Sequence, residues 1–306
     1  MGRFLMIGEA LVDVVQAADG ARTCHPGGSP ANVALTTARL GDDTRLLTWI
    51  APDELGAVVR EHLTRAGVVV LPQSVGATRT STAKALVDDT GAAHYEFDLE
   101  WTLAPAAVDP GTTVVHTGSI AALAPTSPPG ALSALLAAAH ERATITYDPN
   151  LRPTVMGPVD LVRGEVERLV ARADVVKVSD EDLAWLYPGS DPHDVLGRWV
   201  GDHALAMGVL TRGAQGPSAI LRSGERVDVP APAVTVVDTI GAGDSFMGGL
   251  LHALDQDGLT GAGGRDRLAA LTAGEARAVL AVAARVAAVT VSRAGANPPT
   301  LEELSA

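Results

Sequence analysis

The chain has 306 residues, 47% of them apolar and 19% charged, which supplies a sizeable core for one large domain or two and excludes a disordered chain. Its net charge of −13 excludes nucleic acid as a partner, because a phosphate backbone calls for a basic surface. Lys84 and Lys177 are the only lysines, so a clamp on an anionic ligand must draw mostly on arginines such as Arg152 and Arg212, metal ions and helix ends; Cys24 alone cannot form an internal disulfide, and a cytoplasmic protein is expected.

Phe4–Ile7 reads as the first strand, and Glu9 and Asp13 interrupt the apolar run before a signal-peptide core can form. Asp13 follows that strand, where open α/β sheets place ligand groups; its carboxylate can accept two hydroxyls, or it can be a plain turn residue. Leu11–Arg22 breaks the rhythm and reads as antiparallel ribbon. Next comes Gly27-Gly28-Ser29-Pro30-Ala31-Asn32, leading into a helix over Ser29–Leu40 with Ser29 as N-cap, Pro30 at its first position, Gly41 as its stop and Ala31, Ala34, Leu35 and Ala38 as its buried stripe. Paired glycines followed by Asn32 suit a polyhydroxyl ligand approached by backbone, and equally suit a helix start that needs glycine for its turn.

Arg45–Ile50 and Val68–Leu71 read as further strands. Ser81–Phe97 is a second ribbon, with Ala83, Ala85 and Val87 alternating, a turn at Asp88-Asp89-Thr90-Gly91, then Tyr95 and Phe97. A hairpin with one apolar face cannot stand alone, so residues 11–25 and 76–102 are expected to form a β-lid, and 1–10, 26–75 and 103–306 the core. Such ribbons also gain burial by packing on a copy of themselves, which points to a homodimer.

Strands follow at Thr113–Thr117, Thr144–Asp148, Val175–Val178 and Ala206–Thr211, alternating with alanine- and leucine-rich helical segments. This is an α/β pattern: a doubly wound, mostly parallel sheet with helices on both faces. Asp148-Pro149-Asn150-Leu151-Arg152 puts an acceptor, an amide and a guanidinium after one strand; Arg152 either pairs with a transferring phosphate or is a surface arginine. Lys177, Ser179 and Asp182 end another strand and form either an outer shell for a metal-bound phosphate or a helix cap built on Ser179. Thr211-Arg212-Gly213-Ala214-Gln215-Gly216 permits a tight loop against a ribose or phosphate.

Asp238-Thr239-Ile240-Gly241-Ala242-Gly243-Asp244-Ser245-Phe246 joins an anion cradle to a candidate base, and Phe246, Leu250, Ala253 and Leu254 recur at helical spacing behind it. The glycines therefore lie where a helix begins, with bare N–H groups and the positive dipole end beside Asp244, an arrangement suited to phosphoryl transfer. The G-x-x-x-x-G-K-[ST] loop is absent, and the dinucleotide fingerprint fails where Phe246 replaces its third glycine, which leaves little for a dehydrogenase. Ala278–Val291, the longest late apolar stretch, contains Arg285 and is too short to span a bilayer.

On the Asp238–Asp244 run and the Gly27-Gly28…Asn32 segment, the chain resembles the ribokinase-like (PfkB) family of sugar kinases, its bacterial fructokinases most closely. Weaker matches lie at Gly8/Asp13, Asp148–Arg152, Thr211…Gly213…Gly216 and Gly295-Ala296-Asn297-Pro298, so the likeness runs from Glu9 to Asn297. The resemblance implies a doubly wound core with a β-lid, a sugar held by Asp13, Gly28 and Asn32, and ATP with Mg²⁺ across the C-terminal half. It makes Asp244 the catalytic base, with the N–H groups of Gly241, Ala242 and Gly243 and the Arg152 side chain on the phosphoryl group. It assigns Lys177, Ser179, Thr211, Gly213, Gly216 and Asn297 to the nucleotide, Asp182 to Mg²⁺, and Asp238 to the neighbourhood of a K⁺ ion. Family members commonly carry Asn-x-x-Glu where this chain has Ser179-Asp180-Glu181-Asp182, which shortens the carboxylate. The expected reaction converts fructose to fructose 6-phosphate; ribose, 2-keto-3-deoxygluconate or a nucleoside are the rival acceptors, and a sugar-binding regulator without turnover is the rival class.

Overall fold

Strand β1 (Arg3–Ile7) buries Phe4, Leu5, Met6 and Ile7 alike, as a parallel strand covered on both faces must. Phe4 and Met6 enter one hydrophobic core and Leu5 and Ile7 the other, so the two-residue period of one strand already separates the two layers. The computed structural model describes residues 2–16, 22–87, 93–125 and 128–305. The remaining strands are β2 (Leu11–Gln16), β3 (Arg22–Gly27), β4 (Asp43–Leu47), β5 (Val69–Val70), β6 (Thr82–Val87), β7 (Ala93–Asp98), β8 (Thr112–Gly118), β9 (Thr144–Asp148), β10 (Val175–Ser179), β11 (Met207–Thr211), β12 (Ser218–Leu221) and β13 (Arg226–Asp228).

Nine strands form the main sheet in the order β13-β12-β11-β10-β9-β8-β1-β4-β5. From β5 to β11 all neighbours are parallel, and the β12–β13 hairpin adds an antiparallel edge that sequence reasoning did not place. The order runs outward in opposite directions from β1 and β8, the switch point beside which open α/β sheets bind ligands at strand carboxyl ends. One face carries helices Ser29–Arg39, Ala242–Gln256 and Ala273–Val291; the other carries Ala131–Ala139, Val159–Val170 and Pro192–His203.

The two ribbons merge into one four-stranded sheet, β3-β2-β6-β7, by a parallel pairing of β2 with β6. The expected turn at residues 88–91 lies outside the described residues. The small sheet is tethered firmly. Asp53 caps helix Glu54–Arg65 through Gly56 N–H at 2.7 Å, and also accepts the Thr80 N–H at 2.9 Å and hydroxyl at 2.6 Å just before β6. Ser81 in turn accepts the Glu100 N–H at 2.9 Å, tying together the strand's two approaches. Asp53→Ala should therefore cost about 1–2 kcal/mol, the upper range for a lost N-cap, read as a shift in urea midpoint at constant m-value.

Two local expectations need correction. Ser29 is not the N-cap: Gly28 occupies that position with φ 102°, and Ser29 begins the helix with its hydroxyl turned elsewhere. Asp13 is not the plain turn residue that one of its two readings allowed; it lies within β2, opposite His25, in the ribbon expected over Leu11–Arg22. Among the described residues no helix is long and apolar enough to cross a membrane.

Candidate active site

The helix Ala242–Gln256 begins at the carboxyl ends of the parallel strands, capped by Gly241 in the left-handed region at φ 73° and ψ 6°. A β-carbon on Gly241 would stand 2.7 Å from the Ala296 β-carbon, so both the backbone angle and the space demand glycine. Of the first four helical N–H groups, Ala242 donates to Thr239 O at 3.2 Å and Ser245 to Gly241 O at 2.8 Å. Among the described residues no acceptor meets Gly243 N–H, Asp244 N–H or the preceding Gly241 N–H, so these three are available to an anion. Ala242, expected in that set, is replaced by Asp244's own amide because the turn engages Ala242 first.

Asp244 is buried at the head of this helix and accepts from three side chains: Ser29 Oγ at 2.7 Å, Asn32 Nδ2 at 2.8 Å and Asn150 Nδ2 at 3.4 Å. Asn32, expected on a sugar, thus also orients the carboxylate. Asn150 reaches it from a left-handed backbone at φ 39°, a conformation asparagine tolerates better than most residues. Ser29→Ala removes one hydrogen bond to a charged group, about 1.5–3 kcal/mol, so kcat should fall roughly 10–100-fold with little change in acceptor affinity; steady-state kinetics checks it.

Around Asp244 opens a cleft of about 420 Å³ lined by Glu9, Asp13, Gly28, Asn32, Ser119 and Arg152, with Ala83 and Phe97 of the small sheet over it. At Gly28 a β-carbon would come within 2.5 Å of Glu9 O, so chain and cleft wall touch only because no side chain is present. Burial holds Asp13 above the ordinary carboxylate range, His25 and Arg152 oppose it, and Asp244 adds to it. Burial likewise pushes Glu9 up to about 7, against hydrogen bonds from Ser119 and Ala121. Arg152 lines this cleft and its neighbour, its Nη1 donating to Asn150 Oδ1 at 2.8 Å and Leu151 O at 2.9 Å.

Beneath the helix head lies a buried ion pair. Lys177 Nζ donates to Asp148 Oδ2 at 2.7 Å, and stands 3.0 Å from where a β-carbon of Gly243 would sit. Lys177 shares its side of β10 with Val175, whose core is the one under helix Ala242–Gln256. Burial alone pulls Lys177 down, but Asp148, Asp182 and Asp244 outweigh it and hold it above the usual lysine value. Burial pushes Asp148 up to about 6, Lys177 opposing, so near pH 7 the pair is charged on both sides.

A second cavity, about 270 Å³, is lined by Lys177, Ser179, Asp182, Arg152, Thr211 and Gly243. Here Ser179 and Asp182 form a capping box for helix Asp180–Leu186, and the other Asp182 oxygen accepts Leu151 N–H at 2.9 Å. Capping, one of the two readings of this segment, is what its side chains do. No group of three or more His, Cys, Asp or Glu able to hold a metal occurs among the described residues.

The groove expected to take ATP, about 540 Å³, runs along Thr211, Gly213, Gly216, Val236, Ala287 and Val291, and is mostly apolar, as a flat aromatic base requires. Gly243 lines this groove and both other cavities, so they meet at the helix head. Arg212 also lines the groove, its guanidinium donating to Gly216 O and Asp228. Asn297 is not brought to the groove; it is exposed and accepts Arg39 Nη1 at 2.8 Å. Asp238 accepts Ile240 N–H at 3.0 Å and Gly295 N–H at 2.8 Å, which lower its pKa and tie the loop to the chain's last segment.

Glu9 and Ser119 were not singled out from sequence, and Asp148 and Asn150 stood out only as the acceptor and amide of the segment ending at Arg152, without a role of their own. Two carried a readable signal only in three dimensions, since Ser119 and Asn150 are non-glycine residues at positive φ.

Comparison with known proteins agrees with this geometry. Residues 1–303 match the family described as pfkB family carbohydrate kinase. The chain is 34% identical over 266 residues to a fructokinase of Rhizobium leguminosarum bv. trifolii, covering 83% of this chain and 80% of that one. It is 32% identical over 277 residues to a fructokinase of Klebsiella pneumoniae, covering 88% of each. Its structure is similar to that of the fructokinase from Vibrio cholerae O395 in fructose, ADP and calcium ion bound form, with TM-score 0.78, 26% identity and coverage of 99% and 96%.

Proposed function

Because this chain belongs to the pfkB family of carbohydrate kinases, with its ribokinase-like fold, we propose that it transfers the γ-phosphoryl group of ATP to the primary hydroxyl of fructose. The observation that carries the reading is Asp244, an acceptor-only carboxylate fixed by Ser29 and Asn32 where two cavities meet at a row of bare N–H groups. It takes the proton of the sugar hydroxyl as that oxygen attacks phosphorus in line, and the N–H groups of Gly241, Gly243 and Asp244 stabilise charge on the phosphoryl oxygens. Arg152, lining the acceptor cleft and the cavity of about 270 Å³ next to it, adds a cation to the transferring group.

A neutral sugar suits the cleft better than the rival acceptors. Glu9, Asp13 and Asp244 present three carboxyl groups against one guanidinium, a poor setting for a keto acid's own carboxylate. Phe97 is the sole aromatic lining it among the described residues, too little to sandwich a nucleoside base. Asp182, with Ser179 beside it, would neighbour the Mg²⁺ that accompanies ATP and neutralises its phosphates; with both Asp182 oxygens already accepting N–H groups, phosphate and water would supply most of its ligands. Thr211, Gly213 and Gly216 hold the nucleotide, Asp238 neighbours K⁺, and a cytoplasmic setting fits these ligands.

The small sheet acts as a lid over the sugar, and its outer face pairs with a second copy. Light scattering should give about twice the 31.3 kDa chain mass, and a single-chain mass at working concentration contradicts this pairing. Purified protein with ATP, Mg²⁺ and fructose, ribose, 2-keto-3-deoxygluconate and a nucleoside tests the function. ADP release should be fastest with fructose, and no release with any acceptor contradicts the proposal.

A further inference from the structure

Glu9 lines the acceptor cleft, is 6% exposed, and has no part in the transfer chemistry above. Its Oε2 accepts the Ala121 N–H at 3.0 Å, and the Ser119 hydroxyl also bonds its carboxyl. Both partners belong to the first turn of the short helix Ser119–Leu123, whose N-cap residue, Gly118, has no side chain to offer. A residue just past β1 thus supplies, from 112 positions away, the cap that this helix lacks. The turn needs such a hold, because Ser119 sits at φ 56°, a left-handed conformation that a β-carbon disfavours. Ser119 and Ile120 both line the cleft.

Resting on the sugar-kinase reading, we propose that Glu9 is a positioning residue for the acceptor, clamping the Ser119–Ala121 turn so that Ser119 and Ile120 present a fixed wall to the sugar. The charged and titratable groups facing it across the cleft are Asp13 from β2, Asp244 from helix Ala242–Gln256 and Arg152 from the loop after β9. Because burial places Glu9 near 7, its ionised form gains weight as pH rises, and that form is the stronger acceptor for Ser119 and Ala121. The stability sign is opposite: a carboxyl raised above its ordinary 4.5 favours the folded chain at low pH, and that contribution is lost as pH rises through about 7.

Hydrogen exchange on the ligand-free protein reads the clamp without any substrate. In Glu9→Ala the amides of Ser119–Leu123 should exchange about tenfold faster or more, and in Glu9→Gln, which keeps an acceptor oxygen, they should stay within about threefold of wild type. In turnover, Glu9→Ala should raise the acceptor KM about tenfold or more, with kcat and the KM for ATP within about threefold. The wild-type acceptor KM should fall between about pH 6 and 8 while that of Glu9→Gln stays flat. Unchanged exchange in Glu9→Ala, or faster exchange with an unchanged acceptor KM, overturns the proposal. Should Glu9→Ala not fold, Ser119→Ala replaces it under the same two criteria. A wild type that phosphorylates no acceptor overturns the kinase reading and leaves the exchange result to decide the clamp.

Discussion

Asp244→Asn should lower kcat by roughly 10²–10⁴ while fructose affinity, read by calorimetry without ATP, stays within about threefold. The asymmetry follows from the geometry. The amide keeps one acceptor oxygen for Asn32, 2.8 Å away, and Ser29, 2.7 Å from the other oxygen, can turn its hydroxyl to accept from the new NH₂ group. Fold and cleft therefore survive; only the capacity to take a proton is lost. A protein that merely senses sugar would be indifferent to this change in its turnover, having none. Retained turnover above about a tenth of wild type contradicts the assignment of Asp244 as base.

The largest effect on stability is expected at Lys177. Lys177→Met leaves Asp148, which has no solvent exposure, as an unpaired buried carboxylate, at a cost of about 3–5 kcal/mol and a fall in Tm on the order of 10 °C. The loss should shrink as pH falls, because Asp148, raised by burial to about 6 even with Lys177 opposing, is raised further when the ammonium is missing and neutralises itself by binding a proton. Lys177→Met combined with Asp148→Asn should recover much of the loss, since both charges then disappear together. A single variant as stable as wild type at pH 7 would show that Asp148 finds another partner, and a double variant no better than the single would place the damage in packing.

Much of the fold was legible because burial on two faces writes itself as continuous apolar runs. Thr144–Asp148 was placed to the residue, and β1, β8, β10 and β11 to within one or two. The β12–β13 hairpin escaped because strands of four and three residues with a two-sided edge environment carry too little periodicity. In the site, Asp244 and the glycines stood out because anion binding needs small residues at consecutive positions, a strictly local demand. Ser29 misled for the complementary reason: a serine before a helix suggests a cap, and nothing local tells that Gly28 must pass beside the Glu9 carbonyl, take the cap position and leave the hydroxyl for a residue 215 positions away. Glu9 was invisible on the same grounds, its partner Ala121 being 112 positions distant, and Asn150 stood out only as an amide after a strand, because its partner Asp244 lies 94 positions away.

Strand β3 ends at Gly27 and the Asp244-gripping hydroxyl is on Ser29, with Gly28 alone between them. Asp13, which lines the cleft, pairs across the same ribbon with His25. The four-stranded sheet and the Asp244 carboxylate are consequently yoked through one residue, so a displacement of the sheet would be felt first beside the hydroxyl that sets the carboxylate's angle. A bulkier residue at Gly28 would run into the Glu9 carbonyl, 2.5 Å from where its β-carbon would sit, and so disturb sheet and carboxylate together.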